Sequence, residues 1–292
     1  MLLLGCCLLT IEAFAQVRGQ VINAEDGKPI PFATVHWGSN NGGYTNETGK
    51  FEVAEEAVGK GLIISCVGFK TDTFNTQNSR FTEFKLFPDR IQMKSITISD
   101  RPSKPIRLGA PKKRKGVSSW RGEFGQQHAI YIPGDSLGRT FLIKEALYQA
   151  NNFFAEIKAS QSFFRLHLYS KGSDGFPNKE LLKANLIVYP KKNGGWQTVD
   201  LSRFSILFPP EGLFLAMEWL GNSPTKEYKV TMDGKKKIRT AIGHSLNMHK
   251  TKNHFYEHVF YYPDRGWRDM SDNPYPDNEN YIPCLALEVV EI

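Results

Sequence analysis

The first folded segment of the chain, residues 18–53, reads RGQVINAEDGKPIPFATVHWGSNNGGYTNETGKFEV. Asp26-Gly27 is a strong hairpin signal between two runs of β-forming residues. Residues 32–37 are rich in β-branched and aromatic side chains, and residues 50–53 alternate polar with apolar residues as a half-buried strand does. Residues 40–43 are glycine and asparagine and are expected to form a loop. The segment therefore predicts a small antiparallel β unit.

The glycine and proline positions of this segment follow a recognisable pattern. The pattern is Gly19-x-Val21, Asp26-Gly27-x-Pro29-Ile30-Pro31-x-Ala33-x-Val35 and Gly43-x-Thr45-Asn46-x-x-Gly49-x-Phe51, followed later by LIISCVGFK at residues 62–70. It resembles the carboxypeptidase-regulatory-like domain, a transthyretin-like β-sandwich of bacterial cell-envelope proteins that often precedes the plug of TonB-dependent receptors in Bacteroidetes-type bacteria. The resemblance implies a fold and a compartment. It implies no reaction, because this module is an accessory domain wherever it occurs.

With 292 residues and 40% hydrophobic content, the chain is long enough for two packed domains. We predict a first domain at 16–99, a basic linker rich in Pro, Lys and Arg at 100–119, and a second domain at 120–292. Beyond residue 53, strands of the first domain are expected at 62–67, 71–74, 81–87 and 91–99. Strands of the second domain are expected at 129–132, 142–148, 163–169, 186–189, 196–201, 204–208, 213–220, 228–232, 236–240, 255–262 and 285–290. Both domains are therefore expected to be all-β.

The second domain carries a resemblance of its own. The matching motifs are FRLHLY at 164–169, GFPNKELL at 175–182, GWxxVDL at 195–201 and PEG at 210–212. They resemble jelly-roll modules of bacterial secreted proteins, although Asn178 stands where those modules usually have glycine. The expected fold is thus two β-sandwiches, the first transthyretin-like and the second jelly-roll-like.

The N-terminus indicates export. An apolar run precedes Ala13-Phe14-Ala15, which fits the small-x-small cleavage pattern of a signal peptide at residues 1–15. The alternative is a lipobox-like Leu3-Leu4-Gly5-Cys6, which would place a lipid on Cys6. Cleavage would leave Cys66 and Cys284, which we expect to be buried free thiols rather than a disulfide. The expected location is the periplasm, the outer-membrane surface or the extracellular space.

The net charge of +7 comes from one segment. Seven cations and no acid occur there: Arg101, Lys104, Arg107, Lys112, Lys113, Arg114 and Lys115. A nucleic-acid binder would carry its cations on a folded face, and an exported chain has little access to nucleic acid. We therefore expect a solvated linker that an anionic membrane or glycan surface would attract, and no nucleic-acid partner.

Four of the seven histidines fall within fifteen residues: His244, His249, His254 and His258. Imidazoles can bind zinc or copper. Two residues four apart on one strand, such as His254 and His258, are however about 13 Å apart, too far to share an ion. His254 and Glu257 match the H-x-x-E pair of metallocarboxypeptidases, but the third ligand and the catalytic domain of that family are missing. If His254 and His258 lie on a strand, they are therefore predicted to be aromatic surface residues, and no metal site is predicted.

The C-terminal region combines acidic, amide and aromatic residues. The acids and amides are Asp264, Asp269, Asp272, Asp277, Glu279, Asn273, Asn278 and Asn280, which could hold calcium but fit no EF-hand. The aromatic residues are Tyr256, Tyr261, Tyr262, Trp267, Tyr275 and Tyr281. Sugar-binding sandwiches stack pyranose rings on such side chains, whereas a structural role would place them in the core or at loop edges.

The sequence offers no serine-hydrolase elbow and no phosphate-binding glycine loop. We therefore predict no catalytic, cofactor-binding or metal-ligating residues. The expected function is a non-enzymatic, exported envelope protein that binds a partner protein or a surface glycan. The alternative is a carbohydrate-active or peptide-processing enzyme in which two of Glu257, Asp264, Asp269 and Asp272 act as acid and base.

Overall fold

The computed structural model describes residues 17–37, 41–53, 57, 59–75, 81–89, 104–112, 118–152, 163–191, 195–220, 226–232, 235–241, 244–251, 257–263, 265–272 and 281–292. Within these ranges the protein is all-β: there is no α-helix, and two short 3₁₀ helices lie at Ser202–Phe204 and Met270–Asp272. The chain divides into two compact units, 1–89 and 90–292. Each is a β-sandwich, which confirms the predicted fold class.

The first unit contains β1 (Val17–Asn23), β2 (Thr34–Trp37), β3 (Asn41–Tyr44), β4 (Lys50–Val53), β5 (Gly61–Ser65), β6 (Asp72–Asn75) and β7 (Thr82–Leu86). They form a three-stranded sheet in the order β4-β1-β7 and a four-stranded sheet in the order β3-β2-β5-β6. β1 pairs antiparallel with β4 and parallel with β7. Its alternating residues Val17 and Val21 are buried in the core with Phe51 and Phe84.

Turn chemistry explains how the first segment folds. The Asn46 side chain accepts hydrogen bonds from the backbone N–H groups of Thr48 and Lys50, and Gly49 adopts a φ of +72° that leads into β4. The expectation of a loop at residues 40–43 is wrong, because Asn41–Tyr44 pairs with β2 as a strand. The backbone groups of Gly42 and Gly43 pair with β2, but glycine has no side chain from which a strand could be recognised in the sequence.

In its described residues the second unit contains sixteen strands. They are β8 (Ile106–Gly109), β9 (Ser118–Arg121), β10 (Gln127–Ile132), β11 (Phe141–Asn152), β12 (Phe163–Lys171), β13 (Pro177–Glu180), β14 (Leu186–Val188), β15 (Trp196–Asp200), β16 (Leu213–Leu220), β17 (Lys226–Met232), β18 (Lys235–Ala241), β19 (His244–Lys250), β20 (His258–Tyr262), β21 (Gly266–Asp269), β22 (Tyr281–Pro283) and β23 (Leu285–Glu291).

Two seven-stranded sheets form this sandwich. One has the order β13-β12-β16-β10-β20-β21, with β14 also paired to β12. The other has the order β22-β19-β11-β23-β8, with β15 paired to β11 and β9 to β19. β17 and β18 pair with each other as a separate hairpin. No helix in the described residues is long and apolar enough to cross a membrane.

The predicted strand at 204–208 is wrong. The segment begins in a 3₁₀ helix at Ser202–Phe204, where the Asp200 carboxylate accepts hydrogen bonds from the backbone N–H and the hydroxyl of Ser202. Only Leu207 makes an isolated β-bridge there, to Leu142. The capped turn prevents a regular strand, although the apolar residues suggest one.

The predicted linker at 100–119 also needs correction. Its residues Ile106–Gly109 form β8, which pairs with β23. The Arg107 guanidinium lies 4.0 Å from the centroid of the Trp196 ring, and the Trp196 Nε1–H donates to the Lys112 carbonyl at 2.8 Å. The sandwich thus begins before residue 120. Residues 90–103, with the predicted strand at 91–99, lie outside the described ranges.

Both cysteines in the described residues behave as expected. Cys66 lies in the core of the first unit, and Cys284 is buried at the start of the last strand of the second. Neither forms a disulfide. The prediction of two buried free thiols is confirmed, whereas Cys6 and the lipobox alternative lie outside the described residues.

Candidate binding face

The sheet that contains β12, β16 and β10 has one side against the other sheet and one side turned away from it. Strand alternation in β12 directs Phe164 to the inner side, where its ring meets the ring of His244 on the opposite sheet. Arg165, His167 and Tyr169 therefore point to the outer side. We call this outer side the polar face; its chemically distinctive residues are Gln127, Tyr131, Arg165, His167, Tyr169, Glu180, Glu218, Tyr261 and Trp267.

Strand register places several of these residues in one row across the sheet. Arg165 on β12 pairs with Glu218 on β16, and Glu218 pairs with Gln127 on β10. Gln127 pairs with Tyr261 on β20, and Tyr261 pairs with Trp267 on β21. Paired residues on neighbouring strands lie on the same side of a sheet, about 5 Å apart. We call this line of five side chains the polar row.

A buried ion-pair network lies at one end of the polar row. The Arg165 guanidinium donates to Glu218 Oε2 at 3.2 Å, and His167 Nε2 lies 2.9 Å from the same oxygen. His167 Nδ1 lies 2.6 Å from Glu180 Oε2. Arg165, His167 and Glu218 are only 4%, 4% and 5% exposed. Such burial is tolerated because each charge faces an opposite one.

The two carboxylates fix the protonation of His167. An ionised carboxylate only accepts hydrogen bonds, so both ring nitrogens of His167 must carry hydrogen. Burial alone lowers the pKa of His167, but the charges and hydrogen bonds of Glu180 and Glu218 outweigh this and raise the pKa above its usual 6.5. His167 is therefore an imidazolium, and together with Arg165 it balances the two carboxylates.

Glu180 also holds the backbone of this region. Its Oε1 accepts hydrogen bonds from the N–H groups of Leu168 and Leu182, both at 3.1 Å. One carboxylate thus ties β12 to the segment after β13 and at the same time pairs with His167. The network is a rigid, electrically neutral base for the rest of the face.

Aromatic rings extend from this base. Tyr169 stacks on His167 with ring centroids 5.0 Å apart, and its hydroxyl donates to Gln127 Oε1 at 3.1 Å. Trp267 meets Tyr169 edge-on at 5.9 Å and Tyr261 at 5.3 Å. Burial raises the pKa of Tyr169 and Tyr261 above 10, with the charge of Glu218 contributing to both shifts, so both hydroxyls are neutral. Tyr169, Tyr261 and Trp267 are only partly buried and remain open to solvent.

The other end of the polar row carries hydrogen-bonding groups that are not used within the fold. The Gln127 amide nitrogen, the Tyr261 hydroxyl and the Trp267 indole nitrogen make no hydrogen bond to any described residue. All three residues are partly exposed. The row therefore passes from buried, ion-paired charges to polar groups without a partner among the described residues, next to aromatic rings.

A second aromatic position borders the face. Tyr131 packs on Phe214 with centroids 5.1 Å apart and donates its hydroxyl hydrogen to the Glu211 carbonyl. The Lys171 ammonium lies 3.9 Å from the Tyr131 ring centroid and 3.8 Å from Glu257 Oε2. This cation–π contact fixes the orientation of the Tyr131 ring at the edge of the face.

The structure separates the histidines that are close in sequence. His244 and His249 point to opposite sides of β19, and His254 lies outside the described residues. His258 instead pairs with His128, which sequence analysis did not select: His128 Nδ1 and His258 Nε2 are 2.8 Å apart. The described residues contain no group of three His, Cys, Asp or Glu side chains placed to hold a metal ion.

The expectation that His258 lies on the surface is wrong, because His258 is buried; His244 and His249 are buried too. His258 Nδ1 lies 3.1 Å from the Tyr281 carbonyl and must carry a hydrogen to donate to it. Its Nε2 then accepts from the Nδ1–H of His128, so His258 is neutral. Burial lowers the pKa of His258 to about 4 and the pKa of His128 well below 6.5, so both imidazoles are neutral near pH 7.

The candidate acids are not gathered into a site by the described residues. Glu257 and Asp269 are exposed, and Asp269 accepts hydrogen bonds from the backbone and hydroxyl of Ser271. The side chain of Asp272 and all atoms of Asp264, Asn273, Asp277, Asn278, Glu279 and Asn280 lie outside the described part of the chain.

Two of the candidate aromatic residues, Tyr261 and Trp267, lie together on the polar face. Tyr262 packs instead on Phe260, and Tyr281 lies on the other sheet, where the Lys250 ammonium is 5.9 Å from its ring. Tyr256 and Tyr275 fall outside the described residues.

The comparison with known families concerns the first unit. Residues 17–98 match the model of the CarboxypepD_reg-like domain. This confirms the predicted family of the first domain. No curated protein matches the chain. The family match ends before the polar face, so the chemistry of that face must be argued from its own geometry.

Sequence analysis missed Arg165, His167, Glu180, Glu218 and Gln127. The alternation in FRLHLY correctly separates Arg165 and His167 from their apolar neighbours. It also suggests that both are exposed, since strand alternation normally places charges in water. A signal did exist, because Glu218 interrupts the apolar strand LFLAMEWL at 213–220. A charge inside such a run requires a buried partner.

Proposed function

We propose that the protein is a non-enzymatic, exported binding protein of the bacterial cell envelope and that its polar face binds a surface glycan. The observation that carries this proposal is the open end of the polar row, where free hydrogen-bonding groups of Gln127, Tyr261 and Trp267 adjoin partly exposed aromatic rings. Sugar rings offer apolar C–H faces to aromatic side chains and hydroxyls to polar ones.

The charges of the face favour a neutral ligand. Arg165 and His167 are already paired with Glu218 and Glu180, so a carboxylated sugar would find these cations occupied. Disrupting a buried ion pair leaves an uncompensated charge and is unfavourable. We therefore expect neutral hexose-containing oligosaccharides to bind better than uronates.

The test is an array of neutral and acidic oligosaccharides probed with the purified protein, followed by titration of the best ligand. Trp267→Ala and Gln127→Ala should each weaken binding by about tenfold, because a stacking or hydrogen-bonding group contributes about 1 to 1.5 kcal/mol. Phe87→Ala is the matched control, since Phe87 is an exposed aromatic residue in the first unit. Equal affinity for wild type and Trp267→Ala would refute the assignment, and release of reducing sugar would refute the non-enzymatic part.

We propose further that residues 1–15 direct export and are removed, that the source is a Bacteroidetes-type bacterium, and that the second sandwich has jelly-roll topology. The N-terminal sequence pattern and the two family resemblances support these points. Fractionation of the native cells with mass spectrometry of the recovered protein tests export. A mature protein that begins at Gln16 is expected, and recovery from the cytoplasm with Met1 intact would contradict it.

A further inference from the structure

The hairpin of β17 and β18 stands apart from the two sheets of the second unit. The two strands pair with each other from Lys226 with Ala241 to Met232 with Lys235, and neither belongs to a seven-stranded sheet. A two-stranded hairpin without a third strand is marginally stable in water by itself. Contact with another surface would stabilise such a hairpin.

The hairpin is strongly basic. Its fourteen strand residues include one acid, Glu227, and six cations: Lys226, Lys229, Lys235, Lys236, Lys237 and Arg239. Outside residues 101–115 the positive and negative charges of the chain cancel, so this concentration is a local feature.

One side of the hairpin combines cations with an exposed apolar residue. Lys229 pairs directly with Ile238, and Lys236 lies two residues before Ile238 on the same side. All three are exposed, and Ile238 is 62% exposed. An exposed isoleucine between lysines suits a bilayer interface, where the apolar side chain enters the acyl boundary and the ammonium groups remain among anionic headgroups. A soluble polyanion has no apolar region in which the Ile238 side chain could be buried.

We propose that the β17–β18 hairpin docks the protein on an anionic phospholipid surface. Lys229 and Lys236 bind the headgroups, and Ile238 inserts between them. This docking is independent of the polar face and of the glycan proposed as its ligand. It also differs from the attraction expected of the basic segment 101–115, because it requires an apolar residue.

The test is co-sedimentation of the mature protein, which begins at Gln16, with vesicles of phosphatidylglycerol and phosphatidylcholine, and with vesicles of phosphatidylcholine alone. Lys229→Gln and Lys236→Gln should each weaken binding to the anionic vesicles about fivefold. Ile238→Ser should weaken it about tenfold. Lys70→Gln, Lys85→Gln and Leu137→Ser are matched controls at exposed positions elsewhere and should leave binding unchanged.

Three results would overturn the proposal. Equal sedimentation of wild type and the Lys229→Gln/Lys236→Gln double variant would assign any membrane contact to residues 101–115. Polygalacturonate binding that matches vesicle binding and is unaffected by Ile238→Ser would identify a polyelectrolyte site instead. Loss of vesicle binding accompanied by self-association would show that the lysines protect strand edges from pairing with other copies. Trp267→Ala should not change sedimentation with vesicles. The glycan proposal can therefore fail without affecting the result for the hairpin.

Discussion

At the scale of single residues, Glu218 holds the polar face together because it faces both buried cations. Its Oε2 lies 3.2 Å from Arg165 Nη1 and 2.9 Å from His167 Nε2. Removing this charge takes away a carboxylate that both cations share, in a site that water hardly reaches. The residue is therefore a structural requirement for the face as well as a member of the polar row.

Glu218→Gln is expected to lower the free energy of unfolding by about 3 to 5 kcal/mol, the usual effect of breaking a buried pair from one side. Urea denaturation of the purified variants measures it. Glu83→Gln, at an exposed position of β7, should change stability by no more than about 0.5 kcal/mol. A change below about 1 kcal/mol in Glu218→Gln would mean that Arg165 and His167 find other partners.

The His128–His258 pair makes the free energy of unfolding depend on pH. Because burial lowers the pKa of His258 to about 4, against 6.5 when unfolded, the unfolded chain binds the proton more readily between these values. Stability should therefore be complete above pH 6.5 and fall as the pH decreases toward 4. His167 behaves oppositely: its raised pKa makes its contribution complete below pH 6.5, and the contribution is lost as the pH rises through the raised value.

His258→Asn should reduce the slope of unfolding free energy against pH by about 1.4 kcal/mol per pH unit between pH 4 and 6.5, because one titrating imidazole is gone. Denaturation curves at a series of pH values give this slope directly. The slope is informative even if the variant is less stable at every pH. An unchanged slope would show that His258 does not titrate in that range.

Residue pairs of this kind could not be predicted from the sequence. His128 and His258 are 130 positions apart and meet only because β10 and β20 are neighbours in register. Arg165 and Glu218 require the register of β12 with β16 in the same way. Sequence alternation identifies the side of a strand on which a residue lies, but not the residue that faces it from the next strand.

At the scale of elements, the turns of the first unit were predictable because their chemistry is local. Gly27 and Gly49 have nearly the same φ, +70° and +72°. A side chain at Gly27 would meet open space, whereas a Cβ at Gly49 would lie 2.7 Å from the Val21 carbonyl oxygen. The two positions therefore separate the effect of backbone conformation from the effect of crowding.

Gly27→Ala should destabilise the first unit by about 1 to 2 kcal/mol, the cost of a left-handed conformation for a residue with a Cβ. Gly49→Ala should cost about 1 to 3 kcal/mol more because the added methyl collides with backbone. Thermal unfolding of the two variants against wild type measures the difference. Equal melting temperatures would indicate that the turn at Gly49 relaxes.

Two of the strands that sequence analysis missed, β19 and β8, lack the alternating pattern of a half-buried strand. In β19, Ser245, Asn247 and His249 are buried alongside Leu246 and Met248, so the strand has no alternation to detect. In β8, Ile106 and Leu108 are surrounded by Pro, Lys and Arg. These strands exist because a neighbouring strand offers a ladder of backbone partners.

At the scale of the molecule, each unit has its own core. The apolar cluster that includes Val21, Val35, Phe51, Leu62 and Phe84 belongs entirely to the first unit. The second unit has its own interior between two seven-stranded sheets. The presence of two sandwiches was predictable from strand density and turn spacing, whereas the strand order within the second sandwich was not.

A fragment of residues 104–292 is therefore expected to fold without the first unit. Its urea midpoint should agree with that of the second unit in the full-length protein, as followed by the fluorescence of Trp120 and Trp219, which lie in this unit. An expressed fragment that is unfolded, or whose midpoint is markedly lower, would show that the first unit contributes to this stability.

The parallel pairing of β1 with β7 has a consequence for biosynthesis. Among the described residues, the first strand of this unit, β1, is the central strand of its sheet, with β4 on one edge and β7 on the other. A ribosome releases this central strand first and the edge strand that completes its hydrogen bonding last. Until β7 is synthesised, the edge of β1 that β7 later covers has no partner within this sheet and can pair with another nascent chain.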